Sequence, residues 1–95
     1  MRNHKVKTDP HLFRMTWAGM RNFEIRRDDR GYRLGDTMTL RETVRDDAEL
    51  AEGESHDFTG RMIKLNIDYV LLGPVYGLMN GWVIMSTTVT ELIDV

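Results

Sequence analysis

The stretch Arg61-Met62-Ile63-Lys64-Leu65-Asn66-Ile67-Asp68-Tyr69-Val70-Leu71-Leu72 decides the fold. Successive side chains of an extended strand point to opposite faces. A period of two therefore puts Ile63, Leu65, Ile67, Tyr69 and Leu71 on one face and Lys64, Asn66 and Asp68 on the other. This predicts a long strand with one face buried. Downstream, Gly73-Pro74 through Asn80-Gly81 is rich in turn formers, and Trp82 to Thr90, rich in Val, Ile and Thr, reads as a last long strand.

Upstream, Thr37 to Val44 alternates again, with Met38 and Leu40 inward and Thr37, Thr39 and Arg41 outward. Asp28-Asp29-Arg30-Gly31-Tyr32 and Gly35-Asp36 carry turn chemistry. In Asn22-Phe23-Glu24-Ile25-Arg26-Arg27, Phe23 and Ile25 share one face and Glu24 and Arg26 the other, as in a half-buried strand. His4 to Lys7 is a short alternating segment with Val6 as its only apolar residue.

Between these lies one helix. Asp9 suits the cap and Pro10 the first helical position, where its missing N–H costs nothing. Leu12, Phe13, Thr16, Trp17 and Met20 recur at helical spacing, and Gly19 is the stop. That predicts a helix of roughly nine to eleven residues. One early helix amid five strands of uneven length predicts a mostly β (α+β) fold, a small barrel with the helix plugging one end.

Length and composition agree with a single domain over residues 1–95, with 41% hydrophobic and 29% charged residues. Cysteine is absent, which excludes disulfide scaffolds, thiolate metal sites and cysteine nucleophiles. No apolar run has the length of a membrane span, and the N-terminal residues lack a signal-peptide core, so a cytoplasmic protein is expected. His4, His11 and His56 lack metal-ligand spacing, and there is no phosphate loop, Rossmann glycine pattern or nucleophile elbow. Neither a metal nor a cofactor is expected.

Charge is unevenly distributed along the chain. Residues 1–41 hold ten Lys/Arg and five Asp/Glu, a balance of +5, whereas residues 42–95 hold three and ten, a balance of -7. A basic surface is compatible with the overall charge of -2, because a local field depends on clustering. Residues 45–58 carry six acidic side chains against the single basic Arg45. This segment is expected to be a flexible loop, with a helical turn over Asp46–Leu50. It is either a solvated insertion or an acidic strip that imitates nucleic-acid phosphates or docks a host or partner protein.

The segment Gly19-Met20-Arg21-Asn22-Phe23-Glu24-Ile25-Arg26 joins the helix to a strand and presents Glu24 and Arg26 together. A carboxylate beside guanidinium groups can accept from an amino group while the arginines address phosphate or carbonyl oxygens. That combination suits a nucleobase edge with its phosphate. The same residues also suit an ion-pair ladder on an exposed strand face.

Gly-x-Arg-x-x-Glu-x-Arg over residues 19–26 resembles the Gly-x-Lys-x-x-Glu-x-Arg signature of ASCH domains, in the PUA-like superfamily. Also similar to one ASCH-like branch are His4-Lys5-Val6-Lys7-Thr8, Asp29-Arg30-Gly31-Tyr32, Leu34-Gly35-Asp36, Thr59-Gly60-Arg61 and Gly81-Trp82-Val83, in order. That branch comprises small bacterial and phage proteins for which RNA binding has been suggested. The resemblance covers about residues 4–88. It implies a small β pseudobarrel with a cleft beside it, faced by Arg21, Glu24 and Arg26, with Lys7 facing it too and with Asp29 and Arg30 either forming the rim or fixing the turn.

Some compact ASCH proteins are amidohydrolases of acetylated cytidine, with lysine and threonine where this chain has Arg21 and Glu24. Arginine cannot act as a base or amine nucleophile. Glu24 is the only candidate base, and flanking guanidinium groups weaken a carboxylate in that role. The resemblance therefore implies a non-enzymatic module binding RNA, a nucleotide or a modified base. Lys7, Arg21, Arg26 and Arg30 would contact the ligand, Glu24 would accept from an exocyclic amine, and Trp82 or Tyr32 would supply a stacking face. Two other readings are an amidohydrolase on a small nucleoside, with Glu24 aided by Asp68, and a phage-type factor that binds a protein through residues 45–58.

Overall fold

The structure is a computed structural model that describes residues 1–95. Five strands and one helix follow in the order β1 (Asn3–Thr8), α1 (Pro10–Trp17), β2 (Phe23–Arg27), β3 (Thr37–Thr43), β4 (Phe58–Leu72) and β5 (Trp82–Ile93). The strands form one curled sheet in the order β1-β3-β4-β5-β2, a half-barrel consistent with the small, mostly β barrel expected from the alternation. β1 runs parallel to β3 and every other pair is antiparallel. No helix is long and apolar enough to cross a membrane.

The β4–β5 hairpin is the spine of the sheet, paired from Met62 opposite Ile93 to Leu72 opposite Val83. Ile63, Leu65 and Ile67 are fully buried, as their alternation requires. The inward set then changes. The register shifts between Ile67 and Tyr69, and one extra residue in a strand exchanges its faces. Tyr69 is consequently 59% exposed, and Val70 packs on the core in place of Tyr69 and Leu71. β3 departs from simple alternation as well. Flanked by β1 and β4, it buries Thr39 along with Met38 and Leu40.

The helix is shorter than predicted, eight residues from Pro10 to Trp17. Asp9 occupies the cap position, yet its carboxylate accepts from the backbone N–H of Asp47 at 3.0 Å and makes no bond to the helix. Phe13 is fully buried in the core and Thr16 is buried beside it, whereas Leu12 and Met20 stay exposed. Gly19 ends the turn at φ +79°, a left-handed conformation that glycine adopts without steric cost.

Two polar clusters brace this frame. Glu42 accepts two hydrogen bonds from the Arg61 guanidinium, at 2.8 and 2.9 Å, and one from the Thr59 hydroxyl at 2.7 Å. Those bonds hold the Glu42 pKa below its ordinary value. The Arg61 guanidinium also lies over the rings of Trp17 and Phe13, 4.9 and 5.6 Å from their centroids, so the cluster ties the helix to β3 and β4. The other cluster closes the sheet. β1 and β2 are the end strands and share no ladder, but Arg26 on β2 donates from Nη2 to the Lys7 carbonyl oxygen and to Thr8 Oγ1 on β1.

Candidate functional site

β2 is turned the opposite way from an ordinary half-buried strand. Phe23 and Ile25 are 44% and 47% exposed, while Glu24 between them is only 1% exposed. An isolated buried carboxylate is costly, so the inversion requires partners. Glu24 Oε2 accepts from Arg21 Nη1 at 2.6 Å, and Oε1 accepts from Arg26 Nε at 2.8 Å. Arg21 Nη1 also donates to Thr16 Oγ1 at 3.0 Å, and that hydroxyl donates to the Leu12 carbonyl oxygen. The chain from α1 through Arg21, Glu24 and Arg26 to β1 is thus continuous. An exposed ion-pair ladder is ruled out, because the charged face of β2 points inward.

Above this network lies a cleft of about 410 Å³. It brings together all six residues that the sequence reading singled out for ligand contact, Lys7, Arg21, Glu24, Arg26, Arg30 and Trp82. Tyr32 lines it too. The Tyr32 ring packs on the His4 imidazole at 4.7 Å, and burial pushes its phenol pKa up. Trp82 is only half-buried and offers the more open aromatic surface, with the Arg27 guanidinium 5.7 Å from its ring. Asp68 is not part of the site. It sits exposed on β4, outside the cleft lining, and accepts from the Thr88 hydroxyl, so it cannot assist Glu24.

Eight lining residues were not singled out as contacts, four of them charged: Arg27, Asp9, Asp29 and Asp47. Arg27 stands opposite Trp82 in the β2–β5 pairing, and since β2 ends the sheet, Arg26 and Arg27 both reach the cleft from opposite faces of the strand. The double arginine was the available signal. Asp9 enters from the junction of β1 and α1, and Asp47 from the acidic segment, which folds back onto Asp9 instead of extending away. Its Asp47–Glu49 turn carries a capping box, and Asp47 lies 3.5 Å from Lys7 and 2.8 Å from His56 Nε2. His56 and Lys7 together hold the Asp47 carboxyl below its ordinary pKa.

Five cationic side chains (Lys7, Arg21, Arg26, Arg27, Arg30) and four carboxylates (Asp9, Glu24, Asp29, Asp47) line the cleft. The formal excess is one positive charge, less than the balance of residues 1–41 suggested, because only five of their ten cations but three of their five carboxylates line the cleft, and Asp47 joins from the acidic half. Distribution matters more than the sum here. The Glu24 carboxylate is shielded and both its oxygens face guanidinium groups, so its charge is neutralised within the wall. Arg26 keeps Nη1 free of protein partners, and Arg27 and Lys7 are exposed at the lip. The surface offered to a ligand is a set of N–H donors beside an indole, interspersed with the carboxylates of Asp9, Asp29 and Asp47. No group of three or more His, Asp or Glu side chains is arranged to hold a metal ion.

The chain belongs to the family described as a domain of unknown function, DUF3850, whose profile matches residues 3–87. No match is found among curated proteins.

Proposed function

We propose that the cleft binds nucleic acid, with RNA or a modified nucleotide as the preferred ligand, and that this protein is a binding module and not a hydrolase. The carrying observation is convergence. Lys7, Arg21, Arg26, Arg30 and Trp82 come from four separate segments of the chain, yet all line one cleft. Phosphate oxygens would be met by Lys7, Arg27 and the free Nη1 of Arg26, and a base would rest against Trp82. The resemblance to ASCH domains supports this reading, since the residues 19–26 that carry it supply the cleft wall. An RNA ligand also fits a cytoplasmic location.

Glu24 takes a different part from the one its residue type suggested. With 1% exposure and both oxygens accepting from arginines, it positions Arg21 and Arg26 instead of meeting an exocyclic amine. The same burial disfavours it as a base for amide hydrolysis, because a base must reach the proton it removes. The protein-docking reading of residues 45–58 has less support, because Asp47 and Glu54 already pair within the chain, with Lys7 and Arg45.

The test is fluorescence anisotropy of a labelled single-stranded RNA octamer, comparing wild type with Lys7→Ala and Arg27→Ala. Both side chains are exposed and lie outside the Glu24 network, so the variants should fold normally. The expected result is weaker binding and a shallower salt dependence, by about 0.7 in the log–log slope for each phosphate that is no longer neutralised. Unchanged affinity in both variants would rule the reading out.

A further inference from the structure

We infer that the ligand is a strand and not a single nucleotide. A second groove on the far side of the Asp28–Tyr32 turn forms a subsite for the neighbouring phosphate. This rests on the cleft reading and extends it. The groove measures about 540 Å³, and among its lining residues are Arg2, Arg30, Arg33 and Asp36. Arg30 lines both this groove and the cleft, so it stands on the ridge between them.

The ridge is held in shape without any ligand. Asp28 Oδ1 accepts from the backbone N–H groups of Gly31 and Tyr32, at 3.1 and 3.2 Å. From the other side, the Arg2 guanidinium donates to the carbonyl oxygens of Arg30 and Gly31. A turn fixed from both sides presents Arg30 at little ordering cost on binding.

The groove is also more cationic than the cleft. Asp36 is its only carboxylate, and that side chain is 6% exposed. It accepts from His4 Nε2 at 2.8 Å and from the backbone N–H groups of Arg2 and Arg33. Its negative charge is thus engaged inside the wall, while the exposed Arg33 side chain has no protein partner. No aromatic ring lines this groove, so it suits a phosphate and not a stacked base. A base held at Trp82 with its neighbour's phosphate beyond Arg30 requires a single strand crossing the ridge.

The experiment compares wild type with Arg33→Ala against two probes, adenosine monophosphate and a single-stranded RNA octamer. Arg33 makes no side-chain bond, and an unchanged amide spectrum will confirm that the variant is folded. The inference predicts normal affinity for the monophosphate, weaker binding of the octamer, and an octamer salt slope shallower by about 0.7. If both probes bind wild type and Arg33→Ala binds the octamer equally well, the second subsite is overturned and the cleft stands. If neither probe binds wild type, the cleft reading fails and the subsite falls with it.

Discussion

Arg26 Nε donates to the buried Glu24 carboxylate at 2.8 Å, and this bond aims the one side chain that spans the gap between the end strands. The same residue pair therefore has two jobs. It closes a half-barrel that has no β1–β2 ladder, and it sets the floor of the cleft.

Removing Glu24 should be expensive for stability. Glu24→Ala leaves two guanidinium groups in a shielded wall without their anion, at a cost of about 3 kcal/mol. Glu24→Gln keeps an acceptor of similar shape and should lose less. Urea unfolding of the two variants checks the order, and equal stability of wild type and Glu24→Ala would contradict the closure role.

Asp47 would oppose the anionic ligand proposed for the cleft. It sits in the cleft wall beside Lys7, with both side chains more than half exposed. Asp47→Asn removes one negative charge and frees Lys7, so RNA affinity should rise, by roughly two- to fivefold given the usual strength of such exposed pairs. Anisotropy at low salt measures this, and a fall in affinity would mean that the loop assists binding.

Acid should weaken the fold through Asp36. Its hydrogen bond with His4, reinforced by the Arg2 and Arg33 N–H groups, lowers its pKa from 3.8 to about 2. A carboxylate more acidic in the folded chain stabilises it fully above the unfolded value, and that contribution disappears as pH falls through the folded value. The window here runs from about pH 4 down to about pH 2, and the contribution is about 2 kcal/mol. Unfolding free energies of wild type should drop across that window, and Asp36→Asn should show a smaller drop. Parallel curves would assign the acid limb to other groups.

Gly73 holds the base of the loop that delivers Trp82. A Cβ there would lie 2.0 Å from the Met79 carbonyl oxygen, which itself accepts from the Trp82 N–H at 3.1 Å. Backbone must move to admit even alanine. Gly73→Ala should cost about 3 kcal/mol as an overpacked site and shift the Trp82 amide resonance. A variant with wild-type melting temperature and spectrum would exclude that close approach.

Legibility in the sequence varied with the kind of signal. Ile63, Leu65 and Ile67 announced β4 because period two survives wherever one face is buried. The bulge after Ile67 was invisible, since an extra residue leaves no mark in a run apolar on both sides. At β2 the apolar residues pointed the wrong way. Phe23 and Ile25 stay exposed because Glu24 finds Arg21 and Arg26 as partners, and Arg21 lies outside the strand. The six site residues could be named from motif and charge, but their convergence depended on pairings between distant segments, such as Arg27 opposite Trp82. The fold-back of the acidic segment rests on the Asp9–Asp47 contact, which no local pattern announces.

The most direct test of the central claim is a titration of isotope-labelled protein with single-stranded RNA, followed through backbone amide shifts. Shifts are expected to concentrate at Lys7, Arg26 through Arg30 and Trp82, saturating with added RNA and suppressed by salt. The absence of shifts, or shifts confined to residues 45–58, would contradict RNA binding in the cleft.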